Sequence, residues 1–203
     1  MRKFWSSFFR YEPQEYWLKR GEVFYKENPY NNEGYKQQEQ KLVDYLSKLN
    51  FSTVLEVGCG FGRITRRLLE HFNISEYLAM DISPTLVNNA MKLMNNFTNI
   101  QFKVADIRQL QTEKKYDLVL GVEVLMHVPP TEINSVINKL VSISNKHVVN
   151  IDWYEEPTPE KHARHCFVHN FNEIYKENTY VININRIPLP ATKQSIFHAQ
   201  LTS

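Results

Sequence analysis

Val54-Leu55-Glu56-Val57-Gly58-Cys59-Gly60-Phe61-Gly62 is a run of strand-forming residues that ends in an acid and then breaks into three glycines at alternate positions. Ile64, Leu68, Leu69 and Phe72 follow at helical spacing, so the stretch predicts a buried strand, a glycine-rich turn and a helix. Such a junction brings bare backbone N–H groups to a helix N-terminus, where a polar or anionic ligand group can be held. Glycine at Gly58, Gly60 and Gly62 keeps side chains out of the way of that ligand. The spacing reads G-x-G-x-G, whereas the third glycine of a dinucleotide-binding G-x-G-x-x-G turn would fall at Arg63.

Outward from this junction, strand and helix patterns alternate, which argues a parallel sheet covered by helices on both faces. Strands are expected at Thr53 to Val57, Tyr77 to Asp81, Ile100 to Val104, Tyr116 to Gly121 and His147 to Asp152. Between them, Ser83 and Pro84 open a helix with Leu86, Val87, Ala90, Met91 and Met94 on one face. Thr131 is expected to cap a helix bearing Ile133, Val136, Ile137, Leu140 and Val141. The methionines among these stripes read as packing. After Asp152 comes a polar, proline-bearing stretch, a His-rich segment and a short helix near Asn172 to Glu177. Strand-like runs at Tyr180 to Asn185 and Ser195 to Ala199 then flank Pro188-Leu189-Pro190 as an antiparallel hairpin.

Ligands of open parallel sheets sit beyond the carboxyl ends of the strands. Asp81 ends the second strand nineteen positions past Gly62, where a carboxylate can accept both ribose hydroxyls of a nucleoside, and Ile82 can cover a base. Read alone, Asp81 is equally a turn and helix-start residue, and Asp106 an ordinary surface acid. Glu56 with the G-x-G-x-G turn resembles the first motif of class I S-adenosylmethionine-dependent methyltransferases, strongly over residues 52 to 152 and only generally outside. The resemblance implies an α/β, Rossmann-like, mostly parallel seven-stranded sheet with an antiparallel C-terminal hairpin and an N-terminal helical lid. It also implies S-adenosyl-L-methionine as cofactor and S-adenosyl-L-homocysteine as product. Gly58, Cys59, Gly60 and Gly62 would lie under the methionine part, Asp106 and Ile107 at the adenine amino group and ring face, and Val122 in the segment between sheet and active site.

A methyl on sulfonium is already electrophilic, so alignment and exclusion of water carry most of the catalysis, helped by a base when the acceptor is a hydroxyl or protonated amine. His127 follows the fourth strand at the crevice mouth and is the first candidate for that base, with a pocket-lining histidine as the alternative. Glu123 is the second candidate, or else orients the cofactor or its loop. His165 and His169, on a segment expected over the active site, are substrate or base candidates, with packing at the sheet edge as the alternative. The run His162 to His169 has spacing able to chelate a transition metal, but nothing else in the chain supplies a second ligand pair, so no metal is expected. Trp17 and Arg20 are expected to close over the cofactor, the guanidinium meeting its carboxylate. Tyr16, Trp17 and Tyr25 can equally glue their helix to the core.

At 203 residues the chain fits residues 1–50 as a helical lid and 51–203 as the cofactor-binding domain. A formal charge of +2 with dispersed basic residues disfavours a nucleic-acid substrate. Two cysteines, Cys59 and Cys166, make no disulfide framework, no apolar run reaches the roughly 18 residues that span a bilayer, and the aromatic start at Phe4 to Arg10 is too short for a signal-peptide core. A cytoplasmic protein with a small-molecule acceptor is expected, with no membrane and an oligomeric state left open. A methyltransferase acting on a peptide or RNA, a non-catalytic cofactor-binding module and an NAD-linked oxidoreductase are the rival readings.

Overall fold

The computed structural model describes residues 11–27, 33–154 and 163–202. Phe4 to Arg10, Tyr30 and His162 lie outside the described residues, as does the proline-bearing stretch before His162. Two helices, α1 (Pro13–Glu27) and α2 (Glu33–Leu46), precede the alternating unit β1 (Thr53–Val57), α3 (Arg63–His71), β2 (Glu76–Asp81), α4 (Pro84–Leu93) and β3 (Ile100–Val104). Then come β4 (Tyr116–Val122), α5 (Ile133–Ser142), β5 (Ser144–Trp153), α6 (Phe171–Lys176), β6 (Val181–Leu189) and β7 (Gln194–Leu201). One seven-stranded sheet runs β3-β2-β1-β4-β5-β7-β6. The first five strands in that order are parallel to their neighbours, while β7 pairs antiparallel with both β5 and β6. This is the expected fold, and the order reverses between β1 and β4, where open sheets gather their ligands.

Period-two alternation divides the core between the two sheet faces. Val54, Leu118, Val149 and Ile196 pack with Leu42 and Leu46 of α2 and Ile64 and Leu68 of α3. Leu55, Val119, Val148 and Phe197 pack with Val136, Ile137 and Leu140 of α5 and Phe171 and Tyr175 of α6. Thus α2 is built into one face of the sheet. Helix α1 instead rests on α4, where a Cβ on Gly21 would lie 2.1 Å from the Ser83 Oγ; only a residue without a side chain allows that approach.

The strands sit where they were expected, with β5 starting earlier and β6 running longer. Pro188 and Leu189 belong to β6 itself, and the hairpin turn falls after them. An edge strand accepts a proline because one side of its backbone has no partner to lose. Ser83 caps α4 by accepting the Leu86 N–H, with Pro84 in the first turn, as expected. Two details differ. Met91 is 49% exposed, because α4 buries only Leu86, Val87 and Ala90. Thr131 does not cap α5: the helix starts at Ile133 after Glu132, with no side-chain cap.

Candidate active site

The glycine turn, the ends of β2, β3 and β4, and the inner sides of α1 and α2 enclose one cavity. Gly58, Gly60 and Gly62 all have left-handed backbone, at φ 66°, 56° and 89°. Gly60 shows why glycine is needed: it combines φ 56° with open space, nothing lying within 4 Å of where its Cβ would point, so a ligand can meet bare backbone there. The Gly60 N–H donates to Asp81 Oδ2 at 2.9 Å and the Ser83 N–H to Oδ1 at 2.8 Å. Two backbone donors thereby fix this carboxylate, and each oxygen keeps a lone pair for a further hydroxyl.

Glu56 lines the cavity and is 2% exposed. Tyr77 donates to its Oε2 at 2.7 Å and Thr65 also donates to that oxygen. Burial pushes its carboxyl up to about 7, against the hydrogen bonds from Thr65 and Tyr77 that favour the charged form. Asp106 accepts the Arg108 backbone N–H at 2.8 Å and the Arg108 guanidinium at 2.7 Å. Arg108 also reaches Glu12 ahead of α1 at 2.6 Å and Glu132 at 3.2 Å, so one guanidinium ties the lip of the cavity to the start of α1. Ile82, Ala105, Ile107 and Val122 supply apolar wall.

Arg63, at the first position of α3, also lines the cavity. It is 8% exposed, donates to Gln38 Oε1 at 2.9 Å and pairs with Glu39 and Glu123, each at 3.3 Å. Its guanidinium lies 4.1 Å from the centre of the Tyr35 ring. Gln194 closes the ring of contacts, accepting from Gln38 and donating to Glu123 Oε1, both at 2.7 Å. Glu123 holds this position with φ 58°, a left-handed backbone that costs a non-glycine residue about 1 kcal/mol or more. No local pattern marks this network, since its members come from α2, α3, the end of β4 and β7.

Arg20 does not line the cavity; it pairs with Glu27 two turns further along α1 and lies over Phe24. Trp17 and Phe24 of α1 do line it. His127 lies in a 3-10 turn, Leu125–His127, after β4. Asp152 sets that turn, accepting the Met126 N–H at 3.0 Å and an Asn150 N–H at 2.7 Å, and its burial pushes the carboxyl up to about 7. His127 Nδ1 is 3.0 Å from the His165 carbonyl. A carbonyl can only accept, so Nδ1 carries the proton and Nε2 keeps its lone pair. Burial lowers the ring to about 4, so it is neutral at ordinary pH.

His165 stacks between Tyr16 and His127, with ring centres 4.3 and 5.3 Å away, while Trp17 meets His127 edge-on at 4.9 Å. His165 backs His127 without lining the cavity. His169 is further removed: 5% exposed, it donates from Nε2 to the Val128 carbonyl at 3.0 Å and braces the loop beneath. Gly62 likewise shapes the turn, packed against α4, and does not face the cavity. The structure therefore gathers Trp17, Glu56, Gly58, Cys59, Gly60, Asp81, Ile82, Asp106, Ile107, Val122, Glu123 and His127 at one cavity, and leaves Arg20, Gly62, His165 and His169 off its wall.

Residues 54–147 match a family profile described as "Methyltransferase domain". The chain is 34% identical over 95 residues to Malonyl-[acyl-carrier protein] O-methyltransferase 1 of Ilyobacter polytropus, a match covering 44% of this chain and 35% of that protein. It is 29% identical over 101 residues to Nodulation protein S of Rhizobium tropici, covering 50% of this chain and 40% of that protein. The chain thus spans well under half the length of these curated relatives. Among solved structures, magnesium protoporphyrin IX methyltransferase from Synechocystis with bound SAM superposes with a TM-score of 0.74 at 18% identity, over 96% of this chain and 99% of that one. The N-methyltransferase NodS from Bradyrhizobium japonicum, in complex with S-adenosyl-l-homocysteine, gives 0.73 at 18%, over 95% and 100%. At that identity the likeness is one of fold.

Proposed function

We propose that the chain is a class I S-adenosylmethionine-dependent methyltransferase, as the profile match over residues 54–147 and the named relatives support, and that it moves a methyl group from S-adenosylmethionine to an oxygen or nitrogen of a small organic acceptor. One observation carries the reading. The two carboxylates expected at the nucleoside, Asp81 and Asp106, meet the open backbone of Gly60 in a single cavity that Trp17 and Phe24 cover from above. An aromatic roof over the cavity suits an acceptor small enough to lie beneath it.

The residues fit the cofactor by chemistry as well as by place. Asp81, oriented by two backbone donors, has free lone pairs for ribose hydroxyls, and the open side of Gly60 accommodates the methionine part. Glu56 becomes a partner for the ligand's ammonium group, which draws its carboxyl toward the charged form. When bound, S-adenosylmethionine supplies an electrophilic methyl that needs no further activation. Trp17 and Phe24 exclude water and favour a cation beneath them. His127 Nε2, with its lone pair fixed by the proton on Nδ1, takes the proton that the acceptor loses as its bond to carbon forms. A neutral, weakly basic ring suits an acceptor that becomes acidic only during transfer. Arg63, satisfied by Glu39 and Glu123, holds the far wall in shape, and α1 acts as the lid.

The names of the relatives cover acceptors at both oxygen and nitrogen, consistent with a site that fixes the donor and leaves the acceptor to the outer wall. Methyl transfer from labelled S-adenosylmethionine, screened over small carboxylic acids, alcohols, phenols and amines beside a peptide and an RNA pool, tests the proposal. Turnover confined to small acceptors is expected. Turnover on the polymers alone rejects the small-acceptor reading.

A further inference from the structure

His127 has a neighbour that methyl transfer does not use. Its Nδ1 lies 3.6 Å from Cys166 Sγ, and a ring nitrogen of His165 completes three ligand-type atoms that all lie within 4.8 Å of one another. A nitrogen and a sulfur held by one tetrahedral zinc, at about 2.0 and 2.3 Å from it, stand roughly 3.5 Å apart. The His127–Cys166 pair already has that separation, and His165 closes on it by a side-chain movement on the order of 1 Å.

The donors come from two segments that are clamped together. The Phe167 N–H donates to the Met126 carbonyl at 2.7 Å, and Cys166 closes a turn through the Ala163 carbonyl at 2.9 Å. His127 supplies from after β4 the ligand that the run His162 to His169 lacks within itself. Cys166 is buried, at 5% exposure, and Tyr16 meets the group from α1, its hydroxyl 3.2 Å from His165 Nε2. Two imidazoles and a thiol are the donor set of a thiophilic divalent ion such as zinc and not of magnesium or calcium.

We propose that His127 Nδ1, a ring nitrogen of His165 and Cys166 Sγ form a site for a zinc-like divalent cation, and that the bound ion switches His127 off as a base. Binding forms two metal–nitrogen bonds and one metal–sulfur bond, and the Cys166 thiol gives up its proton to solvent. The one proton of neutral His127 leaves Nδ1, breaking the bond to the His165 carbonyl, and resides on Nε2. That nitrogen then donates and cannot accept, so the ion and the base exclude each other at one ring. The site stands on the geometry of the three donors; only the switch rests on the methyltransferase reading.

Cobalt(II), added to the metal-free full chain, tests the site directly. A near-ultraviolet thiolate-to-cobalt band with visible bands of four-coordinate cobalt is expected, abolished by zinc(II) and absent in Cys166→Ser. No thiolate band in the parent chain, or an undiminished one in Cys166→Ser, overturns the site. S-adenosylhomocysteine binding by Cys166→Ser checks that this variant is folded. For the switch, equimolar zinc should slow methyl transfer on the order of a hundredfold, the lower range of a positioned base's contribution, and leave Cys166→Ser unaffected. Cobalt binding with undiminished turnover in zinc overturns the switch and keeps the site. Cobalt binding by a chain that takes no S-adenosylhomocysteine keeps the site while rejecting the methyltransferase reading.

Discussion

Glu56 sits at the seam between stability and ligand binding. Buried with its carboxyl raised to about 7, it is largely protonated in the free protein below neutral pH and must ionise to meet an ammonium group. Affinity for S-adenosylhomocysteine should therefore tighten as pH rises through about 7, and Glu56→Gln should flatten that dependence. Titrations at about pH 6 and 8 check this; a parent profile as flat as the variant's contradicts it. Arg63 carries a separate burden. In Arg63→Met the Glu39 and Glu123 carboxylates lose their cation, Glu39 at 6% exposure, and stability should fall by about 3 kcal/mol in urea denaturation. A loss within experimental error would mean that the network costs in desolvation what it returns. The raised carboxyl of Glu56 and the buried network of Arg63 were not legible from the residues. The acid before the glycines was readable as a motif, but a buried arginine on a helix rich in arginines (Arg63, Arg66, Arg67) carries no mark that separates it from its half-buried neighbours.

Among the elements, those with strong local patterns were readable and those decided by docking were not. The strands follow from apolar runs, and α4 from Ser83 and Pro84 together. Thr131 failed as a cap because the turn that includes Pro130 extends to Glu132 before the helix begins, where Glu132 pairs with Arg108. Met91 sits at the edge of its stripe, where helical periodicity cannot say how wide a face the sheet covers. The seat of α1 is also tertiary: it depends on Gly21 lying against the cap of α4. Gly21→Ala, whose Cβ would stand 2.1 Å from Ser83 Oγ, should lift α1 and weaken S-adenosylhomocysteine binding about tenfold, the effect of losing roughly 1.4 kcal/mol. The sheet should still unfold in one transition. Unchanged affinity would show that α1 is no part of the roof.

Across the whole molecule, buried titratable groups pull stability in opposite directions with pH. His127 and His198, both lowered from 6.5 to about 4 by burial, leave the folded state with fewer protons than the unfolded chain between those values. Their contribution is complete above about 6.5 and is lost as pH falls through about 4. Glu56 and Asp152, both raised to about 7, act in reverse: their contribution is complete below the ordinary carboxylate range and is lost as pH rises through about 7. His198 is 2% exposed, with its ring nitrogens 3.0 Å from His147 Nδ1 and 2.8 Å from the Tyr45 hydroxyl. His198→Gln should therefore lose less stability than the parent between about pH 6.5 and 4.5, measured by urea denaturation at each pH. An equal loss removes His198 from this account. The fold was legible because alternation and a glycine turn are local signals. The surroundings of the cavity were not, because Glu39 and Gln194 join the Arg63–Glu123 network, and Cys166 meets His127, only after the sheet has brought distant segments together.

Whether the carboxylate fixed by the glycine turn grips a nucleoside at the ends of the strands is decided by calorimetric titration of S-adenosylhomocysteine into the parent chain and Asp81→Ala. Saturable binding to the parent is expected, about ten- to a hundredfold weaker in the variant from the loss of hydrogen bonds to a charged group, with none for NAD. No binding by a folded parent chain, or equal affinity in the two proteins, would contradict it.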